Sequence, residues 1–105
     1  MVKRTKYQMF SYLLNAAKEG DVKKSRLYHR VETSHKYFKK LFETAIGGGY
    51  ISINENGKCD LTKKGIEFCE DWEEFKNLKQ KAEEFIDEAE NIKEKILKKH
   101  GLENL

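Results

Sequence analysis

The sequence contains no proline and only two cysteines among its 105 residues. Without proline, no ring clash or missing N–H interrupts helix propagation, so long helices are open to this chain. Cys59 and Cys69 are too few for a disulfide framework or a four-ligand zinc site, and they read as small core residues rather than a redox pair. His29, His35 and His100 lack metal-ligand spacing, so no metal is expected. No apolar run reaches the roughly 18 residues that a membrane helix requires. The first residues, Met1 to Lys6, show no apolar signal region before amphipathic sequence begins, which places the chain in the cytoplasm as an expectation. With no Ser-His-Asp set near a recognisable turn and no phosphate-binding loop, neither enzymatic activity nor a cofactor or small-molecule ligand is expected.

Charge is plentiful: 21 Lys+Arg stand against 18 Asp+Glu, a net +3. Its distribution is uneven. Residues 1–65 hold 14 Lys+Arg and 6 Asp+Glu, a net +8, whereas residues 66–105 hold 7 and 12, a net −5. A basic first part followed by an acidic second part suggests that the first faces a polyanion and the second has another task. We therefore expect two regions, 1–65 and 66–105.

Thr5 opens a helical pattern in which Met9, Phe10, Leu13, Leu14 and Ala17 form one apolar stripe, and Gly20 sits where a helix C-terminal cap belongs. Asp21 is expected to cap a shorter helix carrying Val22, Leu27 and Val31 inside, with Lys23, Lys24, Arg26 and Arg30 on the wet side. Thr33 or Ser34 caps a third helix over about 34–45, whose Phe38, Leu41, Phe42 and Ala45 face inward. Its outer side carries His35, Lys36, Lys39, Lys40 and Glu43, with Tyr37 on the border. Gly47-Gly48-Gly49 follows a helix and precedes a strand, so it reads as a flexible connector rather than a phosphate cradle. Residues 50–61 make a hairpin: Tyr50 to Ile53 alternates, Asn56-Gly57 favours a tight turn, and Lys58 to Leu61 returns.

Thr62 caps a last helix that nothing interrupts before about Lys99, with Gly101 at its end. Ile66, Cys69 and Trp72 are expected to point at the first region. Beyond them Phe75, Leu78, Ala82, Phe85, Ala89, Ile92 and Ile96 recur at spacings of 3, 4, 3, 4, 3 and 4, a coiled-coil seam. Buried against a second copy, this seam makes the chain a homodimer; folding back onto its own domain is the structural alternative. Glu83, Glu84, Asp87, Glu88 and Glu90 fall outside the seam and read as a solvated flank, not as paired catalytic carboxylates. Trp72 and Phe75 read as core-forming side chains at the root of the seam and not as stacking platforms for single-stranded nucleic acid.

Three helices, a hairpin and a long helix make a mainly α fold, a winged helix-turn-helix followed by a coiled-coil helix. Double-stranded DNA suits it. The helix at 34–45 can enter a major groove, with Ser34, His35 and Lys36 near base edges, Lys39 and Lys40 on phosphates, and Tyr37 at the border of the DNA-contacting face. The wing, with Asn56 and Lys58, would lie on the backbone or in the minor groove. Lys3, Arg4 and Lys6 form a basic arm, and Lys23, Lys24 and Arg26 add charge.

Tyr37-Phe38-Lys39-Lys40-Leu41, the hairpin, and Leu61-Thr62-Lys63-Lys64-Gly65 together resemble archaeal winged-helix DNA-binding proteins, above all the small chromatin-type proteins of Sulfolobus and its relatives. The resemblance spans about Thr5 to Lys99. It implies a DNA-binding winged helix whose long C-terminal helix pairs with a second copy as an antiparallel coiled coil, with a DNA-binding domain at each end, in a nucleoid-associated chromatin protein or transcription regulator. It also implies that Lys36 is the basic residue that precedes an aromatic on the recognition helix. The glycine run at 47–49 departs from the acidic or aliphatic lead into the wing seen in that family. A different class of function is a protein-interaction module, in which the coiled coil is the working part and the winged helix docks an acidic protein.

Overall fold

The computed structural model describes residues 5–104. The element order is α1 (Lys6–Ala16), α2 (Lys24–Val31), α3 (His35–Gly47), β1 (Ile51–Ile53), β2 (Cys59–Leu61) and α4 (Lys63–Lys99). The chain divides into two compact units, Met1–Trp72 and Glu73–Leu105. Among the described residues no helix is long and apolar enough to cross a membrane.

In the first unit, α1 begins with a capping box: the Gln8 amide donates to the Thr5 hydroxyl, and the Thr5 amide donates to the Gln8 side chain. The helix buries Leu13, Leu14 and Ala16. It ends sooner than expected, at Ala16, with Ala17 as its cap. Gly20 works instead in the following turn, at φ +76°, a left-handed conformation that glycine adopts without Cβ strain. Asp21 is not a helix cap. Val22 leaves the second helix to form an antiparallel bridge with Cys59, its amide donating to the Cys59 carbonyl at 2.9 Å and its carbonyl accepting from the Cys59 amide at 2.7 Å. Burial of Val22 in this bridge outweighs its place in the helical pattern, so α2 starts only at Lys24.

Ser34 caps α3, accepting from the Tyr37 amide at 3.2 Å. The inward face is Phe38, Leu41, Phe42 and Ala45, all buried. The glycine run is not a loose connector. It builds a Schellman cap, with Gly49 at φ +78° donating to Ile46 and the Tyr50 amide donating to Ala45. These bonds satisfy two of the orphan carbonyls of α3 and aim the chain directly into the hairpin. There Ile51 faces Leu61 and Ile53 faces Cys59.

Thr62 is the N-cap of α4. Its hydroxyl accepts from the Gly65 amide at 3.1 Å and lies 2.6 Å from the Gly49 carbonyl oxygen. Gly65 is buried because the Leu61 side chain and the Tyr50 carbonyl occupy the space where a Cβ would stand. Gly65→Ala therefore gains some helix propensity but overpacks the joint, where forced shifts cost about 1–3 kcal/mol. We expect a net loss of stability in urea titration; an unchanged or higher midpoint would refute this close approach. Phe68 and Cys69 continue inward, whereas Ile66, expected inside, is exposed. Phe10, Tyr50 and Phe68 meet edge-on with centroids 5.2–5.9 Å apart, and Trp72 stacks on Phe68.

The second unit continues α4. This helix has 37 residues, roughly 55 Å at 1.5 Å per residue. It closes in a second Schellman motif, with Gly101 at φ +67° and the Leu102 amide donating to Leu97. Its apolar stripe faces solvent: Phe75 is 51% exposed, Leu78 59%, Phe85 71%, Ile92 58% and Ile96 52%.

Candidate nucleic-acid interface

α3 is held from below by Phe38, Leu41 and Phe42, and Phe38 is wedged between Tyr28 and Phe42 at 5.2 and 5.7 Å. With the inner face locked, the outer face is fixed too. His35, Lys36, Lys39 and Lys40 are all exposed on it, and Tyr37 is half-buried at its edge. The His35 ring stands 5.6 Å from that of Tyr28. Ser34 is exposed, but its hydroxyl oxygen already serves the cap. No acidic residue lies in the first turn of α3, so the positive end of the helix dipole adds to the lysines instead of being neutralised. This face can receive an anion or a base edge.

The other cations divide. Lys23 and Arg26 are exposed at the start of α2. The Lys24 ammonium lies over the Phe42 ring, 4.6 Å from its centroid, and that of Lys6 lies 5.1 Å from the Tyr7 centroid. Arg30 turns inward, donating to the Ala16 carbonyl at 3.1 Å and pairing with Glu19. Lys64 donates to the Gly48 carbonyl at 2.7 Å and covers the Tyr50 ring, which makes it a clamp on the glycine turn. Arg4 and Lys3, expected in the basic arm, lie outside the described residues.

The wing tip has an internal brace that residue spacing did not reveal. The Asn54 side-chain amide donates to Asp21 at 2.8 Å and to Asp60 at 3.0 Å, and Asp60 accepts from the Asp21 backbone amide. The Asn54 side-chain oxygen Oδ1 accepts from the amides of Asn56 and Lys58, an Asx turn that closes the tip. Lys58 also pairs with Asp21 at 3.4 Å, so its charge is partly spoken for. The Asn54 bond, with Lys58 adding, holds the Asp21 carboxyl below the ordinary carboxylate range. A depressed carboxyl favours the fold above its ordinary range and loses that contribution as pH falls. Only the Asn-Gly pair in the sequence hinted at this arrangement. Burial pushes both thiols, Cys59 and Cys69, up, which disfavours the reactive thiolate.

A groove of about 550 Å³ opens beside α3, lined by residues that include Phe10, Tyr37, Lys40, Tyr50 and Phe68. Tyr37 and Lys40 thus border both the groove and the cationic face.

Comparison with known protein families matches residues 3–80 to the family described as winged helix-turn-helix. No curated protein matches the chain.

Proposed function

We propose that this chain, which belongs to the winged helix-turn-helix family, is a homodimeric double-stranded DNA-binding protein. A winged helix-turn-helix domain suggests DNA binding in itself. The observation that carries the reading is the row His35, Lys36, Lys39 and Lys40, exposed on a helix whose opposite face is anchored in the core. An α-helix fits the major groove. In this reading the first turn of α3 approaches base edges, Lys39 and Lys40 sit on phosphates, and the wing with Asn56 and Lys58 follows the backbone or minor groove. Lys6, Lys23, Lys24, Arg26 and the Arg4 arm extend the footprint.

The dimer is supported by the solvent-facing stripe of Phe75, Leu78, Phe85, Ile92 and Ile96, with Ala82 and Ala89 between. A large side chain left in water forgoes about 1.5–3 kcal/mol, and a second copy of the stripe would recover it. Within the family, the long uninterrupted α4 and the sequence from Leu61 to Gly65 support a kinship with the archaeal chromatin-type proteins, and so a nucleoid-associated, chromatin or regulatory role.

The test is titration of duplex DNA at two salt concentrations, followed by selection of bound fragments from random sequence. Binding that falls steeply with salt is expected, by about 0.9 in log–log slope for each phosphate neutralised. A recovered motif marks a regulator, and its absence an architectural protein. No binding at micromolar protein in low salt would count against the reading and favour docking on an acidic protein surface.

A further inference from the structure

We infer that two copies of the C-terminal segment pair antiparallel in a single register, with Ala82 of each chain seated on the partner's Phe85. The inference rests on the dimer proposed above and adds which residues meet. Two independent features carry it: the sizes of the seam residues and the charges that flank them.

Size decides direction. A parallel, in-register pair would set Ala82 on Ala82 and Ala89 on Ala89, two thin layers, while Phe75 and Phe85 each crowded their own copies. An antiparallel pair joins alternate seam positions. With Phe75 against the partner's Ile92, Leu78 falls on the partner's Ala89 and Ala82 on the partner's Phe85. Every alanine then meets a large side chain, and the layers from 75 to 92 are more even in volume than in the parallel pair, as close packing favours, while Ile96 falls opposite the partner's Asp71.

Charge decides register. On one flank of the seam stand Glu74, Lys81, Glu88 and Lys95, each just before a seam residue. In an antiparallel pair such positions meet their own kind. In the register above, Glu74 lies beside the partner's Lys95 and Lys81 beside the partner's Glu88, so each contact is attractive. Sliding one heptad in one direction sets Lys81 beside the partner's Lys95 and Glu88 beside the partner's Glu88. Sliding in the other sets Lys81 beside the partner's Lys81 and Glu74 beside the partner's Glu88. Both slides convert attraction into repulsion, and charge at flanking positions is what sets partner orientation in coiled coils. The same register accounts for Ile86, which is 60% exposed and lies off the seam. It falls beside the partner's Lys79, whose aliphatic stem can cover it.

The experiment is sedimentation equilibrium of the full chain at low salt, with Lys81→Glu, Glu88→Lys and the two combined. Each single change sets like charges face to face twice in the dimer. It should raise the dimer dissociation constant roughly tenfold, and the combined change should restore it to within about threefold. Both variants keep the seam and every buried residue of the first unit. The difference should shrink in high salt. Tighter dimers from Lys81→Glu, singles without effect, or a double variant as weak as the singles would each overturn this register while leaving a dimer standing. An unmodified chain that sediments as a monomer would overturn the dimer itself, and the register with it.

Discussion

Phe85→Asp should convert the proposed dimer to a monomer. Phe85 is the most exposed of the large seam side chains, at 71%, and lies near the middle of the stripe. Pairing would bury it twice, once from each chain, and each loss of a large side chain costs about 1.5–3 kcal/mol. The aspartates would bring two unpaired carboxylates into a desolvated seam, which adds several kcal/mol more. The total exceeds about 4 kcal/mol, or a thousandfold in dissociation constant. Light scattering at micromolar protein should report a monomer. Helical ellipticity should fall too, because an isolated helix of this length has little stability without a packed face. The first unit should stay folded, since its core of Leu13, Leu27, Phe38 and Ile51 lies elsewhere in the chain. Affinity for long duplexes should drop with the loss of bivalency. A dimer that survives this change would place the seam on other residues.

Lys36→Ala combined with Lys39→Ala should weaken duplex binding by on the order of tenfold at low salt and flatten the salt dependence by close to 2 in log–log slope. Both side chains are exposed on α3 and neither carries packing, so thermal stability should hold. The paired readout matters. A loss of affinity with an unchanged slope would mean that the lysines support the helix without touching phosphate, and unchanged affinity would remove α3 from the interface altogether. A mixed outcome is also informative: loss confined to one DNA sequence would indicate that Lys36 reads a base edge.

The order of helices, the inward faces of α1 and α3, and the length of α4 could all be read from apolar spacing, because the first three helices each bury one stripe against a common core and α4 carries its own stripe without a break. Ser34, Thr62 and Gly101 were legible for the same local reason: each satisfies orphan backbone groups within a few residues. The failures share a different cause. Val22 leaves its helical pattern because Cys59, far along the chain, offers it a backbone partner. The glycines at 47–49 look loose in isolation, yet they close a cap because Tyr50 must enter the hairpin just after α3. Gly65 owes its identity to Leu61 and the Tyr50 carbonyl, a crowding that periodicity cannot express. The cationic face of α3 was visible in the residue order. The Asp21, Asn54 and Asp60 brace was not, because its members meet only after the hairpin folds back on the turn before α2.

The bridge between Val22 and Cys59 has a mechanical corollary. Cys59 is hydrogen-bonded to Val22 and lies opposite Ile53, so the hairpin is riveted, at the pair next to its turn, to the segment that joins the first two helices. A push on the wing tip should then reach that joint through the Val22–Cys59 bonds. In the proposed complex, a duplex that strained the wing would load the joint between the first two helices as well.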